Sequence, residues 1–362
     1  MKKRLLAVLS FALLITFAAL LKAQDQQTTL VITMTNDPSS NKVIVVDAAS
    51  HAVLQTLSTN GKGGVSGNAR GVKEYDGQLL AAVNYGSGTV ALFKRAGDRL
   101  VFRQLVAPSS PPVSVDFGND HMYVAGTHTV DSFRLVGDYV GSLDGTALLA
   151  LAGGGLPADG ATAQIGVVDK HSLLVTIKAD PIPGTVDVIQ LSNGAIFGTA
   201  NAVSAPGGTL TPFGFSVYPD GTALITLAHS GHDGLFRQSA FKVVVTSGGQ
   251  GGNCWTTRVG KYVFIVNTGS RTISRAIGTG SNIFIDNAVA ASVATGGSPT
   301  DTDAAGGYLS VIDHSSGSGA TSHLSLFTYN AFGELSPSGT PLDLGVPNAN
   351  GMALMVPAHD ED

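Results

Sequence analysis

His229, His232 and Asp233 stand together in the stretch His229-Ser-Gly-His232-Asp233. Two imidazoles and a carboxylate suit Zn²⁺ or another transition metal. The spacing is not that of H-E-x-x-H on a helix, and a glycine-containing turn of this composition serves equally as a solvated polar hairpin. Asp301 and Asp303 form a second grouping. Residues i and i+2 of a strand share one side, so the two carboxylates are placed for acid–base work. The alternative is that Asp301 ties down a turn through backbone N–H groups. Arg70 brings a guanidinium that can clamp a carboxylate or phosphate at two points, or pair with a neighbouring Asp. Arg70 and Asp301 are thus the catalytic candidates, with no catalytic set fixed. Trp255, the only tryptophan, offers a flat face to a sugar ring or fills space between packed sheets. Cys254 beside it has no adjacent base and reads as a small buried hydrophobe.

Several chemistries are missing at the level of motif. The chain has no G-x-x-x-x-G-K-[ST] loop, no G-x-S-x-G elbow and no dinucleotide fingerprint. Gly61-Lys-Gly-Gly64, Gly153-Gly-Gly155 and Gly248-Gly-Gln-Gly-Gly252 read as connecting loops rather than phosphate cradles. A calcium-loop pattern is also missing.

The elements that hold these residues follow from composition and period. Of 362 residues 46 are Gly and 13% are charged, and the 26 acidic residues include only three glutamates, Glu74, Glu334 and Glu361. Strong helix formers are scarce, which excludes a helical bundle and points to an all-β chain rich in tight turns. A short apolar strand recurs, as in Leu30-Val-Ile-Thr-Met-Thr35, Leu79-Leu-Ala-Ala-Val83, Met122-Tyr-Val-Ala125 and Leu173-Leu-Val-Thr-Ile177. Ala223-Leu-Ile-Thr-Leu227, Tyr262-Val-Phe-Ile-Val266 and Tyr308-Leu-Ser-Val-Ile312 complete the series, with starts 49, 43, 51, 50, 39 and 46 residues apart. Seven units at this period predict a seven-bladed β-propeller of four-stranded blades, against the competing architecture of paired β-sandwiches. The first unit lacks a strand in front of Leu30. The orphan Gly351-Met-Ala-Leu-Met-Val356 supplies one, closing the ring and covering a strand edge.

Met1 to Arg4 are basic at three positions, and Leu5 to Leu21 are apolar except for Ser10 and Thr16. With a cleavage position after Ala23, this reads as a secretory signal peptide over 1–23, leaving a single domain over 24–362. The alternative is an uncleaved anchor. Cleavage removes Lys2, Lys3, Arg4 and Lys22, so 17 basic residues face 26 acidic ones and the net charge moves from −5 to −9. An acidic chain of this kind does not attract nucleic acid or anionic lipid. A secreted or periplasmic monomer with no later membrane span is expected, and one cysteine allows no internal disulfide.

In such a ring the leading residues of the inner strands and the hairpins after the second strands share one face. That places Arg70, Ser114, Gln164, Phe213, Trp255, Asp301 and Asn350 around one mouth of the channel. The hairpins add Asn84, Tyr85, His128, His229, His232, Asp233, Asn267, Arg271, Asp313 and His314. From these, Arg70, Gln164, Phe213, His229, Trp255, Arg271, Asp301 and Asn350 are the candidate ligand-binding residues.

Three stretches carry a resemblance. They are Thr211-Pro-Phe-Gly-Phe-Ser-Val-Tyr-Pro-Asp-Gly221, then Cys254-Trp-Thr-Thr with Tyr262-Val-Phe-Ile-Val-Asn-Thr-Gly-Ser-Arg-Thr-Ile-Ser274, then Ala294-Thr-Gly-Gly-Ser-Pro-Thr-Asp301 with Gly307-Tyr-Leu309. Together they resemble the seven-bladed lactonase-type propellers, related to 6-phosphogluconolactonases and carboxymuconate cyclases, in their secreted branch. The resemblance is sharpest over 207–355 and rests on blade spacing over 28–206. It implies opening or closing of a cyclic ester, with no metal or organic cofactor. Enzymatic members carry a His at the start of one inner strand and an Arg and a Glu in a later blade. Here Ala163-Gln-Ile-Gly166 and Thr211-Pro-Phe213 occupy the first two positions, and no Glu falls at the third. Two functions follow as expectations: a lactonase-like hydrolase or cycloisomerase with a lactone or carbohydrate ligand at the channel mouth, or a non-enzymatic binding or scaffold propeller outside the cell.

Overall fold

A computed structural model describes residues 28–179, 184–279, 282–315 and 319–357. The expected signal segment, residues 1–23, lies outside the described residues. Seven antiparallel sheets are arranged around an axis as the blades of a propeller. Blade 1 has the order Asn350–Met355, Leu30–Met34, Lys42–Asp47, Val53–Ser58 from the axis outward. The inner strands of blades 2 to 7 are Val72–Tyr75, Pro112–Gly118, Thr162–Val167, Pro212–Val217, Asn253–Val259 and Ser298–Ala305. Blade 7 has a divided outer edge, in which Leu335–Pro337 and Leu342–Asp343 both pair with Ser322–Tyr329. Among the described residues no helix is long and apolar enough to cross a membrane.

Each blade lies between two others, so its second strand is covered on both faces. That is why Leu79–Asn84, His121–Gly126 and Tyr262–Asn267 are buried at every position and read as apolar runs with one polar residue, Asn84, His121 or Asn267, at an end. Outer strands have one wet side, and Val53–Ser58 accordingly has only exposed and half-buried positions. The ring closes as the repeat pattern predicts: Leu30 pairs with Met355 and Met34 with Asn350 in antiparallel register. Arg95 secures that closure. Its buried guanidinium donates to the carbonyls of Gly97 (2.8 Å), Met355 (2.9 Å) and Thr28 (2.5 Å).

Near their starts the inner strands break register. The shifts fall at Pro112/Ser114, Thr162/Gln164, Pro212/Phe215, Asn253/Trp255 and Pro299/Asp301. A bulge of this kind re-aims the side chains beside it. Across the axis at this level runs the connection from blade 1 to blade 2. The Asn68 carbonyl accepts the Trp255 indole N–H (2.9 Å), and the Asn68 amide donates to the Val113 carbonyl (2.7 Å). The Ala69 N–H donates to the Ala163 carbonyl (3.0 Å), and the Ser114 hydroxyl donates to the Ala69 carbonyl (2.7 Å). Asn350 Nδ2 donates to Asn68 Oδ1 (3.1 Å). Contacts with blades 1, 3, 4 and 6 make this segment a plug that separates the two ends of the channel. Ala69, Ala163, Phe213 and Trp255 form its apolar part, with the two rings edge to face at 5.3 Å.

Candidate functional site

Above the plug, at the mouth where the inner strands begin, lies a cavity of about 360 Å³. Its lining includes Asn36, the Gly64–Gly67 backbone, Trp255, Thr300, His314, Asn348 and Asn350. Trp255 lines the cavity with a largely buried ring whose indole N–H is held by the Asn68 carbonyl. His314 Nε2 lies 2.5 Å from the Ala349 carbonyl oxygen and 3.3 Å from Thr300 Oγ1. A carbonyl only accepts, so Nε2 carries the proton and Nδ1 is the basic nitrogen of the neutral ring. Asn350 Oδ1 is buried without a hydrogen-bond partner, and it faces Gly71, where a Cβ would stand 2.8 Å from it.

Below the plug a second cavity of about 380 Å³ opens at the strand-end mouth. One residue per blade forms a ring here, set by equal register against the second strands: Lys73, Asp116, Gly166, Ser216, Thr257, Asp303 and Leu354. Asp116 Oδ2 accepts from Arg70 Nη1 (3.1 Å) and from the Val167 N–H of the next blade (2.9 Å). Asp303 plays the matching part in blade 7, where Oδ2 accepts the Leu354 N–H of blade 1 (3.0 Å). Glu74 accepts the Gly77 N–H (2.9 Å), and burial raises its pKa above the ordinary carboxylate value.

Arg70 was expected at the strand-start mouth, and its guanidinium lies in the opposite cavity instead. The residue adopts φ 56°, a left-handed conformation that points the side chain down the channel. Gly166 leaves room for it: a Cβ there would stand 2.6 Å from the Phe215 ring and 3.2 Å from Arg70 Nη1. The cation meets Asp116 rather than Asp301. Asp301 is fully buried at the strand-start bulge of blade 7, where Oδ1 accepts the Thr302 N–H (2.8 Å) and Oδ2 lacks a hydrogen-bond partner. Burial pushes its pKa up to about 8, with the Asp303 charge adding to the shift. Burial thus favours the protonated form of Asp301.

The other expected residues scatter. Gln164 is buried and clasps the Phe215 backbone, with Nε2 to the carbonyl (2.8 Å) and Oε1 from the N–H (3.0 Å). Phe213 packs inside the plug. His229 is exposed in the short turn Ala228–Ser230, and Arg271 is exposed in a turn of blade 6 at φ 57°. Neither lines the two cavities. His232 Nδ1 contacts the Ser230 carbonyl (2.6 Å), while Asp233 is fully buried and accepts from Asn253 Nδ2 (2.8 Å), its pKa raised to about 6 by burial. Among the described residues no three His, Cys, Asp or Glu side chains group to hold a metal ion, and the His229, His232, Asp233 stretch is no exception. Only Trp255, Asn350 and His314 of the expected set meet in one cavity.

Sequence reasoning did not single out Lys73, Glu74, Asp116 or Arg258, all of which line the lower cavity. Their signal was the repeated inner-strand position itself. Aligning the seven inner strands on their apolar partners brings Lys73, Asp116 and Asp303 into one column.

No protein-family model matches the sequence, and neither does any curated protein. Solved structures do match in shape. A candidate 6-phosphogluconolactonase from Bacteroides uniformis superposes with a TM-score of 0.64 at 14% identity, over 91% of this chain and 99% of that one. The periplasmic gluconolactonase of Pseudomonas aeruginosa gives a TM-score of 0.60 at 15% identity, over 91% and 99%. A virginiamycin B lyase from Staphylococcus aureus gives 0.53 at 12% identity, over 79% and 92%. Identities this low speak to architecture, and the architecture hosts more than one chemistry. In fold the chain is a seven-bladed β-propeller of the kind found in lactonase-type proteins.

Proposed function

We propose that this is an exported, monomeric propeller that binds a cyclic ester of a sugar acid in the strand-start cavity and hydrolyses it. The observation behind the reading is the convergence of His314, Trp255 and Asn350, from three blades, on one cavity above the plug. The apolar face of the sugar ring rests against the indole. His314 takes a proton from water at Nδ1 while Ala349 holds Nε2–H, fixing the tautomer as an orienting acceptor does in hydrolytic triads. The hydroxide adds to the lactone carbonyl carbon, and the Asn348 carboxamide donates to the developing oxyanion. The ring C–O bond then breaks, and the departing oxygen takes the proton back from His314, giving the open hydroxy acid. The resemblance noted above and the gluconolactonase neighbour favour this substrate class. The sequence of residues 1–23 favours export.

A panel of sugar and aromatic lactones, followed by acid release, tests it. His314→Gln should lower turnover by about 10²–10⁴-fold with an unchanged melting temperature. No hydrolysis above buffer by the unaltered protein sinks the catalytic reading. A non-enzymatic binding propeller is then favoured, because Gln164 and Phe213, near where enzymatic relatives carry catalytic groups, are committed to blade packing. Calorimetry with the same lactones would show binding without turnover in that case.

A further inference from the structure

Beside the strand-start cavity, on the same face, lies a smaller hollow of about 170 Å³. One wall is the hairpin between Leu30–Met34 and Lys42–Asp47, and the other is the segment that leads into the closing strand at Asn350. Pro38 and Asn348 line both spaces, so the two adjoin at that pair. A hollow well below about 300 Å³ holds one small ring, as an extension of a neighbouring ligand rather than a ligand of its own.

Both walls are fixed before any ligand arrives. Asn36, buried at φ 53°, accepts the Gly64 N–H (2.7 Å) and the Val65 N–H (3.0 Å) at Oδ1 and donates from Nδ2 to the Val65 carbonyl (2.8 Å). The Asp37 carbonyl accepts the Gly63 N–H (2.8 Å). Opposite, the Val346 carbonyl accepts the Ser322 N–H (2.7 Å), and the Ala349 N–H donates to the Ser322 hydroxyl (3.0 Å). Walls held in this way cost a ligand little ordering.

Their chemistry selects a sugar. Pro38, Pro347 and Val346 supply apolar surface for the C–H face of a ring, and Ser40 adds a hydroxyl. Among the described lining residues Asp37 and Lys42 carry the only charges, one of each sign. The Ser39 hydroxyl and the Ser39 and Ser40 N–H groups hold the Asp37 carboxyl below the usual carboxylate range. Carboxylate and ammonium both hydrogen-bond hydroxyls, and together they leave no net charge for an ionic group to meet. Asn348 then sets the point of attachment. In the hydrolytic reading its carboxamide meets the oxyanion, so the ester carbonyl lies at the junction of the two spaces. A substituent that crosses the junction leaves the ring beside the ester, from the 2- or 6-oxygen, whereas one on the 4-oxygen starts from the opposite side.

We propose that the smaller hollow is a subsite for a second sugar unit, and that the substrate is the δ-lactone of a sugar acid glycosylated at its 2- or 6-oxygen. The inference rests on the hydrolytic reading for the orientation of the ring.

Steady-state hydrolysis by the full chain tests it with melibiono-δ-lactone (6-linked), sophorono-δ-lactone (2-linked), lactobiono-δ-lactone (4-linked), glucono-δ-lactone and 6-phosphoglucono-δ-lactone. For the 2- or the 6-linked compound kcat/KM should exceed that for gluconolactone and lactobionolactone by about tenfold, the return of one or two hydrogen bonds with the added sugar. Ser40→Phe, which fills the hollow, and Lys42→Met, which removes its cation, should each bring that ratio towards one; both residues are exposed, and each variant is checked by its melting temperature. The subsite is overturned if gluconolactone or lactobionolactone is used as well as both linked compounds, if the phosphate is preferred to the sugar, or if the ratio survives in both folded variants. If no lactone is turned over, the hydrolytic reading fails by itself. Calorimetry with the same intact lactones then reads the preference as a ratio of Kd values, and the same outcomes overturn the subsite.

Discussion

Asp301 gives a test of the burial argument that needs no knowledge of the ligand. Its pKa of about 8 in the fold, against 3.8 for an ordinary aspartate, means that the folded protein holds a proton which the unfolded chain has released. Between those two values the unfolded state binds fewer protons, so stability falls as pH rises, by about 1.4 kcal/mol per unit for one group. From pH 5 to pH 7 the contribution of Asp301 is therefore a loss of about 3 kcal/mol. Asp301→Asn keeps the shape and an acceptor for the Thr302 N–H and removes the titration. The assay is equilibrium urea unfolding of both proteins at pH 5, 6 and 7, followed by the fluorescence of Trp255, which sits in the plug. The variant should gain about 3 kcal/mol on the wild type across that interval. Parallel pH profiles, or a wild type that gains on the variant as pH rises, would refute the claim that burial keeps Asp301 protonated. Asp187, raised by burial to about 7, and Asp233, raised to about 6, act in the same direction and give both proteins a residual slope.

Three other outcomes follow from particular contacts. Arg95→Met strips hydrogen bonds from the Gly97, Met355 and Thr28 carbonyls and should cost about 3 kcal/mol, read as a lower denaturation midpoint. An unchanged midpoint would show that water replaces the guanidinium freely. Gly166→Ala puts a Cβ within 2.6 Å of Phe215 and should destabilise by about 1–3 kcal/mol in the same measurement. Lys178 is desolvated, its amine donating to the Gly67 carbonyl, and burial lowers its pKa to about 8. Competitive acetylation at pH 8 followed by peptide mass analysis should therefore mark Lys178 ahead of Lys170, whereas equal labelling would contradict the lowered pKa.

The fold was legible because its main signal is long-range and repeated. A second strand covered on both faces must be apolar throughout, and seven such runs at one period specify blades. The closing strand was legible for the same reason, since Gly351–Val356 had no partner in its own neighbourhood. The plug was not. Asn60 to Gly67 has the composition of a connecting loop, and nothing local says that Asn68 and Ala69 meet partners from four blades. The expected mouth residues fared unevenly on account of the bulges. Trp255 and Asn350 keep an edge on the upper cavity, whereas Gln164 and Phe213 are turned into the packing. Arg70 escaped prediction through one backbone angle, which sends a long side chain past the plug. The charged column of Lys73, Asp116 and Asp303 was present in the sequence, hidden until register aligned strands of unequal spacing.

The pairing that shuts the ring also sets an order of events. Thr33 and Asn350 meet across 317 positions of sequence, so blade 1 is the first unit synthesised and the last completed. Until the final strand arrives, Leu30–Met34 presents a bare apolar edge to whatever shares its surroundings, and the nascent molecule is most prone to aggregate during that interval. The loop entropy of so distant a contact makes the closing step slow. Once made, the contact leaves the inner edge of Leu30–Met34 paired, and parting blade 1 from the ring requires breaking the seam.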